Sequence, residues 1–310
     1  MPTRRPDLLS LVPDDALRFA DRPDSWYQWR DGLPSLVADV LGGWELTPDG
    51  YRADGKTALV LGVRDSRGEP AAVKFVGPDP DAALEHVVLR LWDGAGAVRL
   101  LRADPGRGVL LLERIGPADL RSVDVRAACR TVAGLYPRLH RPATPQFQLL
   151  SEQCRRWTQQ LTDLPADAPA PHRLVQQAAS LAGDFAADDG TDGQIVHTDL
   201  HYENVLAARR EPWLVIDPKP LSGDPCFEVA PLLWNRWDEA VAGGAVREAV
   251  RDRMGVVVEA AGLDADRVRD WVIVREMVNV LWTLQDSPAL GPAERDWITR
   301  SVTIAKAVQD

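Results

Sequence analysis

Apolar and polar positions along the first third of the chain predict one helix followed by a sheet. Leu33, Leu36, Val37, Val40 and Leu41 recur at helical spacing, Pro34 fits a first turn, and Gly42-Gly43 would end the helix. Trp26 and Trp29, just ahead of it, would pack that helix on the body. Five strand-like runs follow, at 44–47, 57–63, 71–76, 97–101 and 108–114, separated by turn chemistry such as PDGYRADGK, DSRGEP and DPGRG. They predict an antiparallel sheet, with one helical stretch, PDAALEHVVLRLWDG, after the third run. From 116 onward the period becomes helical. Val125, Ala128, Val132, Leu135 and Leu139 share a face, QLLSEQCRRWTQQLTDL and HRLVQQAASLAGDFAADD repeat the theme, and two more helices flank Gly262-Leu263. PADAPAPH reads as a linker between helices. The predicted class is α+β: a helical extension over 1–43, a sheet unit over 44–115 and a helical unit over 116–310.

One stretch, IVHTDLHYENVLAARREPWLVIDPK at 195–219, breaks this regularity. Short apolar runs frame a polar loop, and Asp217, followed by Pro218, is left at a strand end because proline cannot continue the ladder. The spacing His197-x-Asp199-x4-Asn204, followed by Asp217, is what phosphoryl transfer from a nucleotide needs. One carboxylate must face the acceptor hydroxyl, and Asp199 fits. A carboxamide and a second carboxylate must hold a hard cation, and Asn204 and Asp217 fit. His197 completes this catalytic cluster as a scaffold bonded to the loop backbone, since Asp199 already stands at the reacting position. Upstream, Lys74 is a single cation inside the apolar run Ala-Val-Lys-Phe, and a buried lysine needs a partner or a ligand.

At these residues the chain resembles a known family. HTDLHYENVL with VIDPKPLSGDP is similar to the aminoglycoside phosphotransferases, and HYENVLAA, REPWL and IDPxPLxGDPxF resemble their streptomycin 6-kinase and hydroxyurea kinase branch. A weaker likeness runs through AAVKF, GAVRLL, LLLER and Leu281-Trp282. The resemblance implies a two-lobed protein-kinase-like fold, with a five-stranded N-lobe sheet carrying one helix and a mostly helical C-lobe. It implies use of ATP and Mg2+, Lys74 holding the phosphates with Glu85 as its acid partner, and a connector of Glu113, Arg114 and Ile115 whose backbone meets the adenine. It makes Asp224, also a natural N-cap, a brace for the catalytic loop. The implied acceptor is streptomycin, phosphorylated on the 6-hydroxyl of streptidine; hydroxyurea, a viomycin-type antibiotic, an amino sugar or no transfer at all are the alternatives. Three departures stand out. TPDGYRADGKTA replaces G-x-G-x-x-G, leaving Gly50 and Gly55, with Lys56 as a possible helper on the phosphates; Glu228 stands where the family carries aspartate; and no long activation segment follows Asp217, which argues against a protein substrate.

On the helix near 265–286, Glu276, Asn279, Trp282, Thr283 and Asp286 lie near one stripe. That stripe is either a solvated face or the lining of an acceptor pocket, in which Glu276 and Asp286 would meet guanidinium groups and Trp282 would give cation–π contact. Composition narrows the partners. With 310 residues, 45% hydrophobic and 26% charged, the chain is an ordinary globule with a net charge of −10. That charge argues against a nucleic-acid backbone; it either simply keeps the chain soluble or suits a cationic, hydroxylated small molecule. Cys129, Cys154 and Cys226 form no C-x-x-C pair and read as reduced, buried residues. Neither a signal peptide nor a membrane-spanning window is evident, so a cytoplasmic monomer is expected.

Overall fold

The computed structural model of the chain describes residues 11–12, 23–55, 57–287 and 289–309, in two units, Met1–Gly116 and Pro117–Asp310. Lys56 and most of the chain's first 22 residues lie outside the described residues. In the first unit, helix α1 (Asp24–Gly43) begins well before the predicted start and carries Pro34 inside it. Its buried stripe explains the extension: Trp26, Leu33, Val37, Val40 and Leu41 all face one core with Leu59, Leu61, Val63, Val73 and Phe75. Burial of that long stripe outweighs the single backbone bond that an internal proline removes.

Strands β1 (Thr47–Asp54), β2 (Ala58–Arg64) and β3 (Pro70–Val76) are followed by α2 (Glu85–Trp92), β4 (Leu100–Asp104) and β5 (Val109–Glu113). They form one antiparallel sheet in the order β1-β2-β3-β5-β4. β1 runs straight through the residues whose composition predicts a turn. Pro48 pairs with Val63 and Arg52 with Leu61, so 49–51 bulge opposite Gly62. Gly50 takes φ +92° there, and the Tyr51 amide donates to Asp49 Oδ1 at 3.1 Å. Before β5, Gly108 (φ +66°) closes the turn after Pro105–Arg107, where a Cβ would sit 2.7 Å from the Val76 carbonyl oxygen.

The second unit contains α3 (Val125–Leu139), α4 (Leu150–Thr162), α5 (His172–Ala187), β6 (Gln194–Val196), β7 (Val205–Ala207), β8 (Trp213–Val215), β9 (Leu221–Gly223), α6 (Ala230–Trp234), α7 (Trp237–Ala242), α8 (Val246–Ala261), α9 (Ala265–Asp286) and α10 (Pro292–Ala307). α4 packs on α5, α3 on α8, and α9 lies against α5 and α10. From Trp271 to Leu281 every residue of α9 is buried, so it is a central helix covered on all sides. Two small antiparallel ladders, β6 with β9 and β7 with β8, tie down the segments 197–204 and 216–220 that connect them. All three cysteines are buried and free. Among the described residues, no helix is long and apolar enough to cross a membrane.

Candidate active site

The segment between β6 and β7 is held by its own polar residues. Buried His197 meets the Ile216 carbonyl through Nε2 at 2.9 Å, and its Nδ1 accepts from the Asp199 amide at 3.3 Å. A carbonyl partner makes Nε2 the protonated nitrogen. Burial pushes His197 down to about 4, so the ring is neutral near pH 7 and clasps the two connecting segments together. Thr198 sits at φ +66°, an uncommon region for a β-branched residue. It is kept there by its Oγ1, which donates to the Lys219 carbonyl at 2.7 Å, and by its amide, which donates to Glu228 Oε1 at 3.1 Å.

This turn carries Asp199 to a half-buried position. The nearest cationic and ring nitrogens to its carboxylate are His201 Nε2 at 3.9 Å and Lys219 Nζ at 4.0 Å, both outside hydrogen-bond range. Asn204 is buried, and its Nδ2 donates to the Asp199 carbonyl at 2.9 Å. Asp217 takes φ +57° next to Ile216, whose amide donates to the Asn204 carbonyl at 3.0 Å. Strain of this kind persists where surrounding bonds over-determine it. A carboxylate and a carboxamide whose nitrogen is already engaged offer oxygen donors on two tethered segments, a donor set that fits a hard divalent cation.

Beneath the loop lies a second layer that residue spacing does not reveal. Glu228 is wholly buried, and its Oε1 accepts from the amides of both His197 and Thr198. Burial raises its carboxyl to about 7 against the pull of those two amides. The extra methylene relative to aspartate thus leaves the carboxylate bonded to the loop. Asp224 caps the turn Pro225–Val229 through the Cys226 amide at 2.9 Å, and also accepts from Arg267 and, at 2.6 Å, from Trp271 Nε1. Lys219 and His201 are likewise additions to the predicted set; their signal is a basic residue within two positions of Asp217 or Asp199.

In the sheet unit, Lys74 Nζ bonds both carboxylate oxygens of Glu85, at 2.8 and 2.7 Å, with both side chains buried. A bidentate pair of this burial ties α2 to β3. Lys74→Met is expected to lower unfolding stability by about 3–5 kcal/mol, because it withdraws the cation from a covered carboxylate. The double change Lys74→Met/Glu85→Leu should recover most of that loss in urea denaturation without restoring any activity. Recovery of activity along with stability would contradict a role for Lys74 in the chemistry. Glu113 ends β5 and turns its carboxylate back onto the Arg99 amide at 3.0 Å; Ile115 follows, half-buried.

The α9 stripe divides. Trp282 and Asp286 are exposed, but Glu276 has no exposed surface, and its Oε2 accepts from Asn279 at 3.3 Å. Burial raises Glu276 to about 8. A carboxylate inside the helix pack cannot meet an acceptor at the surface, so the predicted trio is reduced to Trp282 and Asp286. One face of Trp282 is moreover taken by the chain's own Arg275, whose Cζ lies 4.5 Å from the ring centroid.

Residues 43–287 match the family model described as aminoglycoside/hydroxyurea antibiotic resistance kinase. A streptomycin 6-kinase of Streptomyces glaucescens is 39% identical over 310 residues, covering 96% of this chain and 95% of the relative. A hydroxyurea phosphotransferase of Kitasatospora aureofaciens is 39% identical over 285 residues, 89% of this chain and 80% of the relative. Among solved structures, a choline/ethanolamine kinase family protein from Mesorhizobium loti superposes with a TM-score of 0.61 at 19% identity, over 90% of this chain and 95% of that one. An amicoumacin kinase in complex with AMP-PNP and Ca2+ superposes with a TM-score of 0.57 at 13% identity, over 90% and 95%. The architecture is therefore the protein-kinase-like fold, and the chain belongs to the aminoglycoside/hydroxyurea antibiotic resistance kinase family.

Proposed function

We propose that the chain transfers the γ-phosphoryl group of Mg-ATP to a hydroxyl of streptomycin, at position 6 of the streptidine ring. The observation that carries this reading is the loop 197–204: a half-buried Asp199 with Lys219 at 4.0 Å, on a backbone held by a neutral, buried His197. Asp199 orients the acceptor hydroxyl and takes its proton as that oxygen forms the new bond to phosphorus and ADP leaves. Lys219 supplies positive charge beside the reacting group. Asn204 and Asp217 are the residues that would hold Mg2+, which would supply positive charge to offset that of the nucleotide's phosphates. Lys74, paired with Glu85, is suited to the nucleotide's phosphates. The AMP-PNP and Ca2+ in the amicoumacin kinase support a nucleotide and a divalent cation in this fold. A cationic acceptor agrees with the net charge of −10.

The equal identity to a hydroxyurea phosphotransferase favours hydroxyurea as the second acceptor to test. Coupled ADP release from Mg-ATP should be measured against streptomycin, other aminoglycosides, viomycin, hydroxyurea and amino sugars. The expected result is release that requires streptomycin and vanishes in Asp217→Ala. Release that requires hydroxyurea and ignores streptomycin would replace the acceptor, and no stimulation by any member would remove the assignment.

A further inference from the structure

Two histidines of the loop 197–204 make the same backbone bond, but their second nitrogens are used differently. The Asp199 amide donates to His197 Nδ1 and the Glu203 amide to His201 Nδ1, each at 3.3 Å. A backbone amide hydrogen cannot turn away, so each Nδ1 is an acceptor and each ring carries its hydrogen on Nε2. His197 spends that hydrogen on the Ile216 carbonyl at 2.9 Å. His201 has no such partner. Its Nε2 stands 3.3 Å from Asn204 Nδ2, but that nitrogen is itself a donor, already bonded to the Asp199 carbonyl at 2.9 Å. The acceptor that His201 Nε2 faces is Asp199 Oδ1, at 3.9 Å.

Two N–H groups that face each other repel, and a carboxylate beside them attracts, so the ring is biased toward Asp199. With 19% of its side chain exposed, it is not locked by packing as the buried His197 is. Closing the gap from 3.9 Å to about 2.9 Å makes a charge-assisted hydrogen bond. Catalytic hydrogen bonds that are long in an unliganded site tighten once the reactants are in place. We propose that His201 is a positioning residue for phosphoryl transfer: in the acceptor complex its Nε2–H donates to Asp199 Oδ1 and turns Oδ2 toward the acceptor hydroxyl. Oδ2 is the oxygen 4.0 Å from Lys219 Nζ, so the proton acceptor and the positive charge of Lys219 then lie on one side. The inference rests on the phosphotransferase reading, because a proton-accepting Asp199 is what needs one oxygen singled out.

Two substitutions divide the ring's two bonds between them. Asparagine keeps an oxygen for the Glu203 amide, as it does in turns, but is too short to reach Asp199; glutamine places an N–H where Nε2 stands and gives up the turn. Transfer from Mg-ATP to streptomycin and to hydroxyurea is measured for the wild type, His201→Asn and His201→Gln, with a thermal melt of each. His201→Asn should melt close to wild type and keep KM for ATP within about twofold, while kcat falls about 10- to 100-fold, the worth of one hydrogen bond to a charged group. His201→Gln should melt lower and yet retain a kcat at least about fivefold above that of His201→Asn. In an Asp199→Ala background, His201→Asn should change the residual rate by less than about twofold, because the ring acts through that carboxylate. Equal kcat in the two variants, the reverse order, or a further large loss in the Asp199→Ala background overturns the inference and leaves the phosphotransferase reading standing. A folded wild type that transfers to neither acceptor removes that reading, and the role of His201 with it.

Discussion

Asp199→Asn is expected to lower kcat by roughly 10²–10⁴-fold, the usual contribution of a positioned acid or base, while nucleotide affinity and Tm stay close to wild type. The side chain accepts no hydrogen bond on which the fold depends: the nearest cationic and ring nitrogens are 3.9 and 4.0 Å away. The structural bonds at this residue are made by its backbone, whose carbonyl receives Asn204 Nδ2 and whose amide donates to His197 Nδ1, and an asparagine keeps both. What the substitution removes is the acceptor for the hydroxyl proton and the negative charge opposite Lys219. Single-turnover phosphoryl transfer and a thermal melt on the same preparation separate these contributions. A variant with kcat within a few-fold of wild type would displace Asp199 from the mechanism. A variant that melts far below wild type would make it a structural residue.

Glu228 should produce the second large effect, and in two directions according to the substitute. Glu228→Ala strips the acceptor from two loop amides and leaves the left-handed Thr198 with less to hold it. Two buried donors left unsatisfied cost about 2–4 kcal/mol of stability, and the misplaced loop should cut kcat about 100-fold or more. Glu228→Gln keeps an oxygen for those amides and discards the charge, so its kcat should stay within a few-fold. The pH dependence separates charge from geometry. The folded-state carboxyl is raised to about 7 from 4.5. Its contribution to stability is therefore fully present below about pH 4.5 and is lost as pH rises through about 7. Relative to Glu228→Gln, the wild type should lose on the order of 2–3 kcal/mol between pH 5 and pH 8. His197 and His140, both lowered to about 4, work in the opposite sense: their contribution is complete above 6.5 and lost toward pH 4. Comparing the two proteins at each pH cancels most of that background. A pH-independent difference would mean that Glu228 is ionised in the fold at no cost.

Much of the site is legible in the chain because its residues are close in sequence. His197, Asp199 and Asn204 share one loop, and Asp217 ends the next apolar run, so spacing alone nominates them. Lys74 is legible for another reason: a lone cation within an apolar strand demands a partner, and Glu85 opens the next helix. The start of α1 is not, because Pro34 looks like a first-turn residue until Trp26 is seen buried about two turns ahead of it. Asp49-Gly50-Tyr51 reads as a turn for a similar reason. Its composition is that of a turn, and only the pairing of Pro48 with Val63 and of Arg52 with Leu61 makes it a bulge within a strand.

The sequence by itself therefore determined the alternation of strand and helix through its periodicity and, through the likeness of its motifs, the family, and its spacing nominated the candidate groups for phosphoryl transfer, since each of these is written within a short stretch. Tertiary structure alone decided which polar side chains are covered and by what. On a helical wheel Glu276 and Asp286 fall near one stripe, yet one is sealed inside the helix pack and the other is exposed. Glu228 and Arg114 acquire their partners from segments far away along the chain, at the amides of 197–198 and at the β1 bulge. Local sequence sets the period of an element but not its neighbours, and the desolvation that moves a carboxyl from 4.5 to 7 or 8 is a property of those neighbours.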